Sequence, residues 1–403
     1  MSCLLWRCAK TFSIYCFLWM LAAPLQAAIE RQDFAPAITE FAQNSAFPAR
    51  VTLPDEKGVW QLGYTFDPAL HEEMAKVYLQ YQPDYACFVA MDANTGAILN
   101  LTSFLKQDEA LNNLVFRAEY PAASVFKYVT AAAALDTLKL STHSVIPYNG
   151  KSTSLYKSQV LRHKETKWTR KPTLVEAFAK SVNPVFGRIG ARVLGQNVLT
   201  DYAHRFGFDQ SLTSDFHLAQ SKIALDFEDQ WQLAEAGSGY TKDIRLSPVH
   251  AAQMMSTLFN EGKMVTPYLV NSARRIDERG AYLASPQYSQ EPVISSDTTK
   301  KLRELMRATI KVGSARSAFQ GINRYKVYKG VEIGGKTGSL TGDSPKGRHD
   351  WFVGYASDGE RNIVFASLIV NKEKWVVRSA YVARQFIYHY FKQQQSLAQS
   401  AAN

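Results

Sequence analysis

The stretch "YPAASVFKYVTAAAAL", residues 120–135, is apolar on nearly every face and rich in residues that favour an α-helix. It predicts a helix that is buried on all sides. Between Ser124 and Leu135 the single charged side chain is Lys127, three residues after the serine. A lysine is seldom buried unless it is paired with another group or used chemically. The position of this lysine therefore needs a chemical explanation.

Ser124 and Lys127 have the spacing that places two side chains on one face of a helix. A serine hydroxyl is a weak nucleophile until a base accepts its proton, and an amine is a base only when it is uncharged. Burial lowers the pKa of a lysine and so makes the neutral amine available near neutral pH. The free N–H groups at the start of the helix also favour negative charge beside the serine. The pair is thus a candidate nucleophile with its base.

The Ser-x-x-Lys pattern occurs twice more, at Ser103–Lys106 and Ser154–Lys157. The first of these pairs ends an alternating, strand-like run, in which positions three apart point to opposite faces. The second lies in a polar, basic stretch, where a lysine stays hydrated and charged. Because only the pair at 124 and 127 combines helical spacing with burial, we expect that pair to be the reactive one.

A second candidate segment is "KPTLVEAFAKSVNPVFGRIG", in which Thr173 and Glu176 form a capping-box pattern that begins a helix. Pro184 disfavours helical geometry at Asn183 and suits the first turn of a new helix. Ser181 and Asn183 therefore fall at a break between helices, where alternate side chains can project into a cleft. Simple capping of a loop by these two polar residues is the alternative explanation.

A third candidate segment is the strand-like "EIGGKTGSLTG". Glycine inside a strand often marks close approach by another backbone or a ligand, here at Gly334, Gly335 and Gly338. Lys336 and Thr337 would offer a cation and a hydroxyl, a pair that suits a substrate carboxylate. A bulged strand that leads into a glycine-rich turn is the alternative.

Strand patterns lie at both ends of the chain. "CFVAMDANTGAILNLTS" predicts two strands around a turn. "VEIGGKTGSL", "WFVGYAS" and "NIVFASLIV" predict three more, and their short polar connections favour antiparallel neighbours. From Ser124 to about Ile322 the patterns are mostly helical. We therefore expect an α/β chain whose five strands are divided between its two ends, with a helical block inserted between them.

The first 28 residues have the composition of an export signal. Arg7 and Lys10 precede an apolar run, Thr11–Ala23, and small residues near Ala27 or Ala28 would suit cleavage. The apolar run is shorter than the roughly 20 residues that a spanning helix needs, which favours a cleaved signal over a retained anchor. We expect an exported protein, either periplasmic or attached to the outer face of the inner membrane.

The remaining boundaries follow from composition. Residues 29–60 show no strong periodicity and are predicted to be an N-terminal extension or linker, residues 61–392 one domain, and residues 393–403 a polar, disordered tail. Cys87 is the one cysteine beyond the signal, so no internal disulfide is expected there, and its strand-like surroundings predict a buried structural thiol.

The chain is basic, with a formal net charge of +10. A basic protein outside the cytoplasm favours anionic envelope polymers or lipid head groups as partners, and no nucleic acid is expected. The eight histidines are scattered, and the sequence has no His-Glu-x-x-His cluster, P-loop or dinucleotide motif. We therefore expect neither a metal ion nor a nucleotide cofactor.

Ser-x-x-Lys, Ser-x-Asn and Lys-Thr-Gly, in that order, are the motifs of penicillin-binding proteins and serine β-lactamases. This sequence has Ser124–Lys127, Ser181–Asn183 and Lys336–Gly338. Segments such as "YTFDPALHEEMAKVYLQ" and "DWFVGYA" also resemble the transpeptidase domain of class B penicillin-binding proteins, over roughly residues 61–392. The resemblance implies a five-stranded antiparallel sheet flanked by helices, with an inserted all-helical subdomain.

The resemblance also implies a reaction. The enzyme would be a D,D-transpeptidase or D,D-carboxypeptidase acting on peptidoglycan stem peptides that end in D-Ala-D-Ala, with β-lactam antibiotics as covalent inhibitors. Ser124 would attack the carbonyl of the penultimate D-alanine and become acylated, with Lys127 as the base. Ser181 would relay a proton toward the leaving amine, and Asn183 would hold the amide backbone of the substrate.

By the same resemblance, the third motif would bind the end of the substrate. Lys336 and Thr337 would engage its terminal carboxylate, and Gly338 and Ser339 would complete the binding strand. The backbone N–H groups of Ser124 and Ser339 would form the oxyanion hole.

Two other functions stay open at this point. A β-lactamase on the same fold would need a device that activates the deacylating water. The Glu-x-x-x-Asn pattern of class A enzymes is not evident, and class D enzymes usually have Ser-x-Val where this chain has Asn183. A non-catalytic module that senses penicillin or binds the wall would become acylated slowly or not at all.

Overall fold

The computed structural model describes residues 29–43, 47–52, 58–107, 113–162, 164–224, 229–276 and 280–402. The predicted signal lies outside these described residues, so its cleavage stays a prediction. Among the helices of the described ranges, none is both long and apolar enough to cross a membrane.

The strands are numbered along the described chain. They are β1 (Arg50–Thr52), β2 (Val59–Tyr64), β3 (Tyr85–Asp92), β4 (Ile98–Leu105), β5 (Tyr120–Pro121), β6 (Lys222–Ile223), β7 (Ile244–Leu246), β8 (Val270–Arg275), β9 (Tyr282–Leu283), β10 (Glu332–Asp343), β11 (Lys346–Ser357) and β12 (Asn362–Asn371).

The α-helices are numbered in the same way. They are α1 (Arg31–Gln43), α2 (Pro68–Tyr81), α3 (Lys127–Asp136), α4 (Lys157–Leu161), α5 (Leu174–Ala179), α6 (Asn183–Arg188), α7 (Gly195–Arg205), α8 (Gln230–Ser238), α9 (Pro248–Met255), α10 (Ser296–Lys311), α11 (Arg316–Phe319) and α12 (Ser379–Ala402).

The central sheet has five antiparallel strands in the order β10-β11-β12-β3-β4. Strands from the two ends of the chain meet where β12 pairs with β3, with Phe365 opposite Ala90. Strand β10, which contains the Lys-Thr-Gly motif, lies at one edge and pairs with β11 along its whole length. The predicted five-stranded antiparallel sheet is therefore confirmed.

Helices cover both faces of this sheet. On one face Phe88 and Phe365 stack with ring centroids 6.1 Å apart, and Phe88 packs on Phe386 of α12 at 4.7 Å. On the other face Val89 and Val364 belong to the core that includes the helical block. Cys87 is fully buried on this second face, and its burial raises the pKa of the thiol, as expected for a structural cysteine.

Helix α3 lies inside the helical block, as its apolar sequence predicts. The residues from Lys127 to Leu135 are all buried. The helix packs against α7, α8 and α10. Its run of alanines, residues 131–134, lets neighbouring helices approach closely, since each adds only one methyl group to the helix surface.

Of the two alternatives predicted for residues 29–60, an N-terminal extension or a linker, the linker is wrong. This segment forms α1, β1 and the start of β2, and Phe34, Ile38 and Trp60 are buried in the main core. Strand β2 pairs with β8, with Leu62 opposite Ala273, so the predicted boundary at residue 60 falls inside a strand. The sequence hides this pairing because the two partners lie more than two hundred positions apart.

The prediction of a disordered tail over residues 393–403 is also wrong as far as Ala402, because α12 continues to that residue. Gln393 Nε2 donates a hydrogen bond to Asp67 Oδ2 (2.6 Å), which fixes the helix to the start of α2. Extending an existing helix is far less costly than nucleating one, so a Gln-, Ser- and Ala-rich stretch without glycine or proline stays helical.

Candidate active site

Ser124 lies in a 3₁₀ turn, Ala123–Phe126, that leads directly into α3. The turn is fixed on both sides: Ala122 N–H donates to the Ile244 carbonyl (2.8 Å), and Trp351 Nε1–H donates to the Pro121 carbonyl (2.9 Å). The sheet and the helical block thus hold the serine at their junction.

The end of α8 approaches this turn very closely. A Cβ atom at Gly239 would lie 1.9 Å from the carbonyl oxygen of Ala123, and Gly239 has a φ of +64°. Only glycine meets both conditions without strain. The residue before it, Ser238, therefore lies close to the first turn of α3.

Lys127 is fully buried, and its Nζ has three polar neighbours. They are Ser124 Oγ at 2.7 Å, Asn183 Oδ1 at 2.8 Å and the Ser238 carbonyl oxygen at 2.5 Å. The amide and carbonyl oxygens can only accept hydrogen bonds. A neutral amine has two N–H groups and one lone pair, so these two acceptors use both N–H groups. The lone pair is then left for the hydroxyl of Ser124.

The surroundings of Lys127 disfavour its ammonium form. Burial is the main cause that holds its pKa well below the ordinary value for lysine, and the nearby Lys336 ammonium lowers it further. The ring of Phe186 lies 5.7 Å from Nζ. Desolvation and a like charge both disfavour the ammonium form, so the electrostatics agree with the hydrogen-bond pattern.

Ser181 and Asn183 lie at the predicted break, after α5 ends at Ala179 and where α6 begins. The predicted capping box is present, since Thr173 and Glu176 each accept from the backbone of the other. Ser181 has a φ of +55°, a left-handed conformation that serine rarely adopts.

The amide of Asn183 is held from its far side. Its Nδ2 donates to the Thr153 carbonyl (2.9 Å), and its backbone N–H donates to the Ser152 carbonyl (2.7 Å). The bond to Thr153 identifies the nitrogen end of the side chain, so the oxygen end faces Lys127. The basic loop that contains residues 152 and 153 therefore orients a residue of the second motif.

Lys336 is the second fully buried amine of the site. Its Nζ donates to Ser181 Oγ and to the Thr337 carbonyl, both at 2.9 Å. Burial lowers the pKa of Lys336 to about 7. Within the described ranges neither Lys336 nor Lys127 has a carboxylate partner. An incoming anion would therefore give Lys336 a partner of opposite charge.

Gly338 lets β10 reach the turn that carries the serine. A Cβ atom at Gly338 would lie 3.3 Å from Ser124 N and 3.2 Å from Val125 N, closer than most side chains allow. The two flanking side chains face other groups. Thr337 Oγ1 is 2.5 Å from Ser314 Oγ, and Ser339 Oγ accepts from Arg348 Nε at 2.9 Å.

The structure brings all eight predicted residues together around one cleft of about 980 Å³. Six of them line it: Ser124, Ser181, Asn183, Thr337, Gly338 and Ser339. The two lysines lie beneath, bonded to the two serines. This arrangement permits nucleophilic attack by Ser124 on a carbonyl whose neighbouring carboxylate rests near Thr337. The individual roles stay predictions.

Several groups of the site were not found from the sequence. The carbonyls of Thr153 and Ser238 are backbone groups, which have no side-chain signature. Ser314 and Arg348 are ordinary polar residues in sequence, although the Gly-Ser-Gly pattern around residue 238 could have indicated close packing. In the part of the chain that the structure describes, no cluster of histidine, cysteine and acidic side chains could hold a metal ion.

Comparison with known proteins gives one family. The family model described as "Penicillin binding protein transpeptidase domain" matches residues 86–387. Among curated proteins, the chain is similar to the peptidoglycan D,D-transpeptidase PbpA of Mycobacterium tuberculosis. The two are 28% identical over 326 residues, which cover 72% of this chain and 63% of that protein. The chain thus spans less than two thirds of the length of this relative.

Solved structures agree with the fold. The D,D-transpeptidase domain of a peptidoglycan glycosyltransferase from Eggerthella lenta superposes with a TM-score of 0.69 at 20% identity, covering 86% of this chain and 89% of that one. Penicillin-binding protein A of M. tuberculosis, as a penicillin G acyl-enzyme complex, superposes with a TM-score of 0.64 at 25% identity, covering 81% and 80%.

Proposed function

Because the chain belongs to the penicillin-binding protein transpeptidase family, we propose that it is a serine D,D-transpeptidase acting on peptidoglycan stem peptides. The observation that carries the proposal is the fully buried Lys127 amine, whose Nζ lies 2.7 Å from Ser124 Oγ. A nucleophile and a base in hydrogen-bond contact, with the base oriented by further groups, are what acyl transfer through an enzyme ester requires.

Acylation begins when the Ser124 oxygen attacks the carbonyl of the penultimate D-alanine and its proton passes to Lys127. The negative oxygen of the tetrahedral intermediate is stabilised by the N–H groups of Ser124 and Ser339. The peptide bond to the terminal D-alanine then breaks, and the leaving nitrogen takes a proton through Ser181. The product is an ester on Ser124 and free D-alanine.

Deacylation reverses this sequence with a different nucleophile. An amine from a second stem peptide attacks the ester carbonyl, the new amide forms, and the Ser124 oxygen recovers its proton. Water in place of the amine would give a D,D-carboxypeptidase.

Substrate binding uses the third motif. The terminal carboxylate of the stem peptide lies against Lys336 and Thr337. It becomes the negatively charged partner of the buried Lys336 amine. Asn183, which also lines the cleft, holds the peptide backbone.

The site of action follows from the substrate and the sequence. We propose that the protein works outside the cytoplasmic membrane, periplasmic or attached to the outer face of the inner membrane. Support comes from the signal-like composition of residues 1–28 and from the envelope location of peptidoglycan.

A labelling experiment tests the proposed function. The chain from residue 29 onward is incubated with fluorescent penicillin, and bound label is followed over time. We expect stoichiometric labelling that lasts for many minutes in the wild type and none in Ser124→Ala. Absence of label from the folded wild type would overturn the proposal, and rapid loss of label with antibiotic turnover would identify a β-lactamase instead.

Product analysis then separates the two D,D-peptidase reactions. A pentapeptide donor is offered with and without an amine acceptor, and we expect the cross-linked amide to form when the acceptor is present. Exclusive formation of the hydrolysed tetrapeptide would identify a carboxypeptidase.

A further inference from the structure

A second cavity borders the catalytic cleft. This neighbouring cavity has a volume of about 720 Å³ and lies beside the hairpin between β10 and β11. Three residues line both spaces: Thr341, Arg348 and Trp375. Arg348 and Trp375 therefore border both the cleft at Ser124 and the neighbouring cavity.

An arginine–tryptophan–arginine cluster lies where the two spaces join. The guanidinium carbon of Arg378 is 3.7 Å from the ring centroid of Trp375, and that of Arg348 is 5.7 Å from it. Trp375 is 39% exposed, a large fraction for so big an apolar side chain. The cluster is thus available to a ligand, and its aromatic plane holds both guanidinium groups in position.

The cluster carries more positive than negative charge. Arg378 contacts Asp350 at 3.3 Å, but this buried carboxylate also accepts from the backbone and hydroxyl groups of Ser379, at 2.9 and 3.0 Å. Within the described ranges Arg348 donates to an uncharged partner, Ser339 Oγ, and makes no ion pair. Guanidinium groups without a full carboxylate partner suit a planar anion with two oxygens.

The direction of β10 shows which part of a substrate would reach the cluster. The terminal carboxylate is proposed to bind at Thr337, and the attacked carbonyl lies by Ser339. The chain that precedes the scissile bond must then continue along the strand toward Thr341, which lies opposite Arg348 in the neighbouring strand. At about 3.4 Å per residue, the next one or two residues of the peptide come level with the cluster.

We propose that Arg348, Trp375 and Arg378 form a subsite for a carboxylate carried by the stem-peptide residues that precede the scissile bond. This inference rests on the proposed function, because it uses the orientation of a substrate acylated on Ser124. The subsite adds specificity for anionic stems and leaves the chemistry at the serine to the other residues.

Two penicillins that differ by one group test the subsite. The acylamino side chain of a penicillin stands where the preceding stem residue would lie, and carbenicillin is penicillin G with one added carboxylate on that side chain. Each is competed against fluorescent penicillin for Ser124, and the ratio of the carbenicillin to the penicillin G acylation rate is measured. We expect this ratio to fall about 5-fold in Arg348→Gln and in Arg378→Gln.

The controls separate charge from general damage. Arg378→Lys keeps the charge and should restore part of the ratio. Arg361→Gln removes a partly exposed arginine that pairs with Asp358 at the other end of the sheet, so the ratio should stay at its wild-type value. Raising the salt concentration in the wild type should lower the ratio, because exposed charge pairs are screened.

Each outcome decides a different point. A salt-sensitive ratio that falls in both glutamine variants supports the subsite, and the salt titration gives this answer even if a variant fails to fold. A ratio that is equal in wild type and variants and insensitive to salt overturns the subsite while leaving the proposed function intact. A wild type that takes no fluorescent label at Ser124 overturns the proposed function and the subsite with it.

Discussion

The chain contains the Ser-x-x-Lys pattern in two helical settings that the structure treats very differently. At the start of α3, Lys127 is fully buried and 2.7 Å from Ser124 Oγ. At the start of α4, the Lys157 side chain is 63% exposed and lies 3.8 Å from Asp229 Oδ2. The hydroxyl of Ser154 donates instead to the Lys151 carbonyl. One pair therefore has the contact and the burial that proton transfer requires, and the other is an ordinary surface turn.

The difference shows that spacing alone does not make a lysine a base. An exposed ammonium beside a carboxylate is stabilised in its charged form, so its lone pair is unavailable. Lys127 has no carboxylate beside it in the described part of the chain, and its N–H groups are taken by two obligatory acceptors. Burial and acceptor chemistry, which the motif does not specify, decide which copy is reactive.

The sharpest way to test the comparison is to remove each lysine in turn. Lys127→Met should lower the rate of acylation by fluorescent penicillin by about 10³-fold, because the hydroxyl loses its base. Lys157→Met is the matched control and should acylate at the wild-type rate. Both variants should keep the wild-type circular dichroism spectrum.

A near-normal acylation rate in a folded Lys127→Met would contradict the assignment of the base. A large loss in Lys157→Met would instead show that the basic loop takes part in the reaction.

A carboxylate placed beside Lys127 should give it the kind of partner that Lys157 has and so stabilise its ammonium form. Asn183→Asp puts a negative charge at the atom that now accepts from Nζ, and this raises the pKa of the amine. Acylation at pH 7 should fall about 10²-fold and recover as the pH is raised, because deprotonation restores the lone pair. The measurement is the pH profile of the labelling rate.

Asn149→Asp serves as the control, since the Asn149 side chain donates to the Lys164 carbonyl, and neither residue lines the cleft. Its pH profile should match that of the wild type. A loss in Asn183→Asp that is equal at every pH would mean that Asn183 acts on the substrate and not through the amine.

Replacing the buried Lys336 amine should raise the stability of the protein, although the residue is proposed to bind the substrate. The pKa of Lys336 is about 7 in the folded protein, below its ordinary value, so between pH 7 and 10 the unfolded chain binds more protons. The contribution of this group to the free energy of unfolding therefore rises with pH over that range. Lys336→Met removes the cost of burying the amine and should be more stable at pH 7 by about 1–4 kcal/mol.

Urea unfolding at several pH values measures this effect. The advantage of Lys336→Met should shrink as the pH rises from 7 and should vanish only above about pH 10.4, where the wild-type amine is neutral in both states. The exposed Lys157→Met should change the free energy of unfolding by less than about 0.5 kcal/mol at any pH. A Lys336→Met variant less stable than the wild type at pH 7 would show that the two hydrogen bonds of the amine outweigh its desolvation.

Local sequence determined much of this protein. The apolar run around Lys127 fixes a buried helix, the capping box at Thr173 begins α5, and Pro184 separates it from α6. The alternation and short polar turns of the five central strands fix the sheet. These features depend on neighbours a few positions away, so periodicity and propensity reveal them.

Tertiary structure decided the rest. Strand β2 is defined by β8, far along the chain, and the surroundings of the Lys127 amine are defined by the side chain of Asn183 and the carbonyl of Ser238. A backbone carbonyl is present at every position, so the residue type does not indicate which carbonyl will accept a hydrogen bond from a buried side chain. The order of the motifs identified the candidate residues, but only folding supplies the buried, acceptor-lined site that a lysine needs to act as a base.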